Sequence, residues 1–383
     1  MKNIVICFDG TWHTADEEFP TNVVKTAQLV LPVDARGVTQ IVFYDQGVGS
    51  MQVAFGSAIN NFLGGAFGVG LMDNIESAYR FLTFNYAPKD RIFIFGFSRG
   101  AFSARSFGGL IRTCGILRKE HVGQVRKAVK LYKNRDREDG ADAEPCMKFR
   151  RDYAIASFSG DAGSIPNQHP LTVEYIGIWD TVGALGIPGH LIFVNSFNQR
   201  YQFHDLALSR MVKSARHAVS IDERRRAFAP TLWENVSELN AGAGESTSQT
   251  LPYQQVWFPG DHASVGGGGD VNGLWQAALV WVVEGAQLKG LTVNDDDLQQ
   301  YRADIKYTAS VYCMKKRSFG WSSLLSRRWR IGPRGDSFAD VSELGRQRIK
   351  APAAELFERK RYRPRTLRAF IEKRAKELET TWR

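Results

Sequence analysis

Cysteine is scarce. The chain of 383 residues has four, Cys7, Cys114, Cys146 and Cys313. They are too few and too scattered for a disulfide framework, and no two are spaced as a CxxC metal or redox motif. A reduced folding compartment is the default. The sequence also lacks a P-loop, an HExxH helix and any Cys/His zinc pattern, so no cofactor or metal is expected. Asp295-Asp296-Asp297 does not have the spacing of a calcium loop and reads as a helix start. No repeat occurs at solenoid periods. The first residues, MKNIVICFDGTWH, carry a short apolar run that stops at Asp9, with no h-region and no small-residue cleavage site. The expectation is a chain made in the cytoplasm.

What the chain does contain is enough apolar material for a core. Hydrophobic residues make up 43% and charged residues 23%, which excludes a wholly disordered protein. The formal net charge is +10, but its distribution is uneven. Val311 to Arg383 holds 20 Lys/Arg against 8 Asp/Glu, while the rest of the chain is slightly acidic. Such a segment suits an anionic membrane surface or an acidic partner. Nucleic acid is not expected, because no recognised module is present and only scattered aromatics such as Trp329 and Tyr362 lie among the arginines.

Short apolar runs at Asn3–Phe8, Thr39–Tyr44, Arg91–Phe95, Val173–Trp179 and Gln254–Phe258 read as buried strands. Helical patterns at Asp73–Asn85, Ala101–Cys114 and Asn272–Leu288 separate most of them. The alternation predicts an α/β fold with a mostly parallel sheet flanked by helices, and a site beyond the carboxyl ends of the strands. Lys213–Ala218, with His217, reads as helical. Gln52–Met72 is uncharged and of bilayer length, but its glycines and amides favour a lid or interfacial segment. Residues 118–165 are highly charged and read as a helical and loop excursion outside the sheet. Ala241–Gln249 reads as a polar loop. The expected division is a catalytic domain over 1–300 and a basic C-terminal extension over 301–383.

Gly96-Phe97-Ser98-Arg99-Gly100 follows the third predicted strand and opens a helix. GxSxG in that context is a nucleophile elbow. The glycines let a sharp turn present the Ser98 hydroxyl above the sheet, and the helix start aims the Arg99 N–H at a developing oxyanion. A hydroxyl nucleophile needs a base and an orienting acid. His262 sits just past a strand, follows Ser98 in the chain, and is flanked by Gly260 and a run of glycines at Gly266–Gly269. Asp180 ends another strand and is the favoured acid. Asp222 is the rival, with an N-cap or ion-pair role as its alternative, and Asp261 adjoins His262. Asp9 ends the first strand and could hold the loop in which Gly10 and Thr11 offer a second oxyanion donor.

FDGTW (Phe8–Trp12), GFSRGAFSAR (Gly96–Arg105), GIWDTVGALG (Gly177–Gly186), RHAVSIDERRRAF (Arg216–Phe228) and VWFPGDHASVGGG (Val256–Gly268) occur in that order. Together they resemble the α/β-hydrolase family that includes type VI secretion phospholipase effectors. The resemblance covers roughly Met1 to Leu288. It implies a serine hydrolase with Ser98, Asp180 and His262 as its triad and a phospholipid acyl ester as substrate. The family commonly carries an Asp two residues after the His, where this chain has Ser264. The alternatives are a hydrolase of soluble esters or thioesters, and a catalytically weak protein binding through its basic C-terminus. On this reading, truncation near Ser310 should weaken vesicle binding but spare hydrolysis of a soluble ester, provided that the tail does not cover the core.

Overall fold

The computed structural model describes residues 1–10, 16–46, 66–134, 140–158, 168–183, 207–244, 251–313 and 327–382. Nine strands are defined among these residues. They are β1 (Asn3–Phe8), β2 (Gln40–Asp45), β3 (Arg91–Phe97), β4 (Ile116–Leu117), β5 (Ala154–Ser157), β6 (His169–Pro170), β7 (Tyr175–Trp179), β8 (Ala215–Ser220) and β9 (Tyr253–Phe258). Six form one sheet in the order β2-β1-β3-β7-β8-β9, with every neighbouring pair parallel.

The period of two along each strand divides the core. Ile4, Ile6 and Phe8 of β1 join Ile92 and Ile94 of β3 on one face. There they pack against helices α2 (Ala66–Asn85) and α3 (Arg99–Cys114). Val5 and Cys7 join Phe93, Phe95 and Phe97 on the other face. That face is covered by α1 (Asn22–Leu29) and α8 (Trp275–Gln287). A sheet buried on both faces explains the nearly continuous apolar runs. Gly177 of β7 permits the close approach of α8, since a Cβ there would lie 2.5 Å from Val282 Cγ1.

The excursion between the third and fourth strands of the main sheet lies outside that sheet. It contains α4 (Val125–Asn134), α5 (Glu144–Tyr153) and a small second sheet of β4, β5 and β6. The two-residue strands β4 and β6 are too short to show a period. The helical reading of Lys213–Ala218 is corrected: this stretch enters β8, buried throughout between β7 and β9. Arg216 and His217 disguised it, because both polar side chains are satisfied inside. Arg216 donates to the Trp281 carbonyl, and His217 lies between the Thr181 N–H and Gln255.

Ala241 and Gly242 finish α6 (Val236–Gly242), and residues 245–250 lie outside the described residues. Residues 52–65 of the expected lid also lie outside them, and the end of that segment opens α2. Among the described residues, no helix is long and apolar enough to cross a membrane. Two short helices follow α7 (His262–Gly266) and α8: α9 (Asp295–Ala303) and α10 (Glu343–Lys350). Asn294 caps α9 by accepting from the Asp296 and Asp297 N–H groups.

The basic segment is not a free tail. Leu344, Ile349, Leu356, Tyr362, Leu367, Phe370, Ile371 and Leu378 share one core cluster with Trp257 and Phe258 of β9. Val341 bridges Trp257, so the segment covers the edge strand β9. Its helices α10 and α11 (Arg368–Lys373) turn their apolar side chains in, and α10 also buries Arg348, which donates to the Tyr307 and Ala309 carbonyls and pairs with Glu358.

Candidate active site

Five neighbouring strands of the sheet end in chemistry. Asp9 follows β1, Ser98 follows β3, Asp180 follows β7, Asp222 stands two residues past β8, and His262 stands four past β9. All lie beyond the carboxyl ends of a parallel sheet, where backbone groups are no longer committed to the ladder.

Ser98 sits between β3 and α3 with φ 58° and ψ −121°. Positive φ at a residue with a Cβ costs on the order of 1–3 kcal/mol and persists only where the surroundings impose it. Two close approaches impose it here. A Cβ on Gly96 would lie 2.5 Å from the Gly100 carbonyl oxygen, and one on Gly100 would lie 2.2 Å from the Phe8 carbonyl oxygen. The Ser98 N–H donates to the Trp179 carbonyl at 3.1 Å, which ties the turn to β7.

The Ser98 hydroxyl lies 2.8 Å from His262 Nε2, and His262 Nδ1 lies 2.6 Å from Asp180 Oδ2. With a carboxylate at Nδ1, that nitrogen carries the proton and Nε2 accepts from the hydroxyl. The imidazole is buried and packed between two rings, with centroids 4.6 Å from Phe97 and 4.8 Å from Phe228. Burial lowers its pKa below the ordinary value, although Asp180 opposes the shift. His262 is therefore neutral near pH 7 and able to accept a proton.

Asp180 is fully buried and also holds a positive φ, 36°. Its Oδ1 accepts from the Ser220 N–H at 2.9 Å and from Arg330 Nη1 at 2.5 Å. Its Oδ2 accepts from Arg330 Nη2 at 2.9 Å besides the His262 ring. Burial works to raise this carboxyl's pKa. Arg330 and His262 together outweigh burial and hold it well below the usual carboxylate range.

Asp222, the rival acid, faces elsewhere. Its Oδ2 accepts from the Gly260 N–H at 2.8 Å and from the Tyr362 hydroxyl at 2.6 Å. It thereby fastens the turn that leads to His262, and burial pushes its pKa up to about 6. Asp261 caps α7, accepting from both the N–H and the hydroxyl of Ser264 at 2.9 Å. Ser264 is thus committed to the helix start. The His262 N–H donates to Glu223 Oε2 at 3.3 Å.

Asp9 is tied to its own loop and to two neighbouring segments. It accepts from the Gly10 N–H at 2.6 Å, the Thr21 hydroxyl at 2.9 Å and the Tyr44 hydroxyl at 2.7 Å. The Gly10 N–H is therefore directed at the Asp9 carboxylate rather than at the space above Ser98. Thr11 lies outside the described residues. Of the three expected oxyanion donors, Arg99 stands in the first turn of α3.

Arg330, Tyr362 and Glu223 take part in this arrangement without having been assigned a site role from the sequence. Arg330 and Tyr362 come from the basic segment, where only charge and composition were legible.

Residues 2–285 match the family model for the catalytic domain of the type VI secretion Tle1-like phospholipase effectors. The chain belongs to this family. The uncharacterized protein YEL023C of Saccharomyces cerevisiae is 32% identical over 238 residues. The match takes in 59% of this chain and 32% of that one, so the chain spans about a third of its curated relative's length. A solved uncharacterized protein from Pseudomonas aeruginosa is similar with a TM-score of 0.43 at 17% identity, over 80% of this chain and 48% of that one. The Tle1 effector bound to the VgrG spike of the type 6 secretion system is similar with a TM-score of 0.34 at 19% identity, over 70% and 51%. The family's catalytic-domain match ends before Arg330 and Tyr362, which reach the same site from beyond it.

Proposed function

We propose that this protein is a serine hydrolase that cleaves an acyl ester of a phospholipid through an acyl-enzyme. The observation that carries the reading is the continuous relay of Asp180, His262 and Ser98 at 2.6 and 2.8 Å. In this reading Ser98 Oγ attacks the ester carbonyl as His262 Nε2 takes the hydroxyl proton. Asp180 holds the Nδ1–H tautomer and stabilises the imidazolium as it forms. The Arg99 N–H and the start of α3 receive the oxyanion, and Gly10, whose N–H donates to Asp9, can add a donor only by turning towards it. His262 then protonates the leaving alcohol. Water, deprotonated by the same imidazole, releases the acid.

The phospholipid assignment rests on family membership. Export by a specialised secretion system belongs to the same reading, since the family is one of secreted effectors. The exposed arginines Arg327 and Arg328, paired to the segment that carries Phe228, suit an anionic headgroup layer beside the site.

The test combines fluorophosphonate labelling with release of fatty acid from phospholipid vesicles. Wild type should label and release fatty acid. Ser98→Ala should do neither and keep its melting temperature. A Ser98→Ala protein with wild-type turnover on both vesicles and soluble esters would reject the mechanism. Turnover of soluble esters alone would move the substrate class to soluble esters or thioesters.

A further inference from the structure

Residues 327–328 pair antiparallel with 224–225. Arg225 bridges Arg327, the Arg328 N–H donates to the Arg224 carbonyl at 2.8 Å, and the Arg224 guanidinium lies 4.7 Å over the Trp329 ring. This pairing carries the next residue, Arg330, into the protein, where its side chain is 3% exposed. Its guanidinium spans four acceptors. Nη1 donates to Asp180 Oδ1 at 2.5 Å and to the Ser220 carbonyl at 2.9 Å. Nη2 donates to Asp180 Oδ2 at 2.9 Å and to the Phe228 carbonyl at 2.6 Å. The fork therefore fixes the plane of the Asp180 carboxylate. It also ties it to Phe228, whose ring packs on His262.

We propose that Arg330, supplied from beyond the region of the family match, is a positioning residue of the reaction: it locks Asp180 against His262 and keeps the pair unprotonated to lower pH. The inference rests on the Ser98–His262–Asp180 reading. A planar bidentate pair fixes both carboxylate oxygens, which a single hydrogen bond does not. A guanidinium in direct contact also opposes uptake of a proton by the buried pair, whichever member would receive it.

The other charged groups around the pair are committed elsewhere. Glu223 binds Arg225 through both carboxylate oxygens. Asp261 caps α7, and Asp222 faces Gly260 and Tyr362. His217 of β8 accepts from the Thr181 N–H, and Arg105 donates to the Thr231 carbonyl. Among the described residues, Arg330 is the cationic side chain that touches Asp180.

The experiment is a pH profile of kcat and kcat/KM on a soluble aryl ester for wild type, Ser98→Ala, Arg330→Gln and Arg330→Lys. Arg330→Gln should lower kcat with little change in KM. It should also move the acidic limb of kcat/KM upward by roughly one pH unit. Arg330→Lys keeps the charge without the fork, so kcat should fall while the limb stays near that of wild type. A limb and kcat unchanged in Arg330→Gln would overturn the proposal. So would a lower kcat with an unmoved limb, which is what a merely structural role gives.

The His262 Nδ1 proton resonance is measured in wild type and Arg330→Lys as well. It reads the geometry directly, even if Arg330→Gln does not fold or no ester is turned over. It should shift or broaden in the Lys variant, and an unchanged resonance there would count against the lock. Loss of Ser98-dependent turnover in wild type would instead count against the triad reading itself.

Discussion

Asp180→Asn and Asp222→Asn differ by one atom each from the native side chains, yet the structure assigns them opposite outcomes. At position 180 the amide must place its oxygen where Oδ1 accepts from the Ser220 N–H and from Arg330. Its NH2 then occupies the Oδ2 position, 2.6 Å from His262 Nδ1, and forces that nitrogen to accept. The imidazole proton moves to Nε2, so the atom facing Ser98 can no longer take its proton. The loss expected for a wrong tautomer is about 10⁴-fold in kcat. This is about 5 kcal/mol of barrier. At position 222 the amide oxygen can still accept from the Gly260 N–H and the Tyr362 hydroxyl, so activity should stay within roughly tenfold of wild type. Stability differs too. A buried acid whose pKa is raised to about 6 favours the fold most when protonated, and that contribution is lost as pH rises towards and through 6. Asp222→Asn should therefore be no less stable than wild type at neutral pH. The assay is initial rates on a soluble aryl ester with fluorophosphonate labelling, and thermal melts as the control for folding. Asp180→Asn retaining more than about a tenth of wild-type turnover would refute the assignment of the acid. So would an equal loss in both folded variants.

Two further outcomes follow from buried side chains. Burial, with Arg105 nearby, lowers the His217 pKa to about 3, so below the ordinary imidazole value the unfolded chain takes up a proton that the fold refuses. Stability should fall by about 2 kcal/mol from this group between pH 7.5 and 5. Urea melts of His217→Gln should show a correspondingly smaller fall, and an identical pH dependence would remove His217 as the cause. Truncation after Ser310 removes Leu356, Tyr362, Leu367, Phe370, Ile371 and Leu378 from the core, all less than a tenth exposed. At about 1.5–3 kcal/mol for each large side chain, the loss rivals the stability of a whole domain. The truncated chain should show no cooperative melt. A folded truncation that still hydrolyses a soluble ester would restore the reading of a dispensable tail.

The sheet was legible because its strands are apolar on both faces and its helices amphipathic. Asn3–Phe8 has the same bounds in sequence and structure, and the strand before Ser98 differs by two residues at its end. The elbow was legible for a related reason. Gly96 is required by Gly100 and Ala101 in the same turn, so half of the motif's cause is local, while Gly100 is required by Phe8 and Asp9 at the end of β1. β8 was not legible, since its two central polar residues find partners only on neighbouring strands and helices that local pattern does not reveal. Asp222 looked like a credible acid for the same reason: strand-end position is visible in sequence, but the direction of a carboxylate is decided by Tyr362, 140 residues away.

The basic segment concealed the most, because its sequence leaves open that its apolar residues cover the core but does not show which of its arginines turns inward. Excess positive charge is a statement about solvent-facing groups, and it fits exposed side chains such as Arg327 and Arg328. Arg330, next but one along the chain, obeys a different rule. A guanidinium enters a protein interior only where oxygen acceptors replace its water, and here two carboxylate oxygens and two carbonyls do so. The carboxylate, in turn, is tolerated without solvent because that cation reaches it. Neither residue's burial makes sense alone, and 150 positions separate them. The segment that looked like an appendage thus supplies the counter-charge that lets an acid sit fully buried behind His262. A boundary drawn at the end of the family match would leave Asp180 with its burial and without its cation.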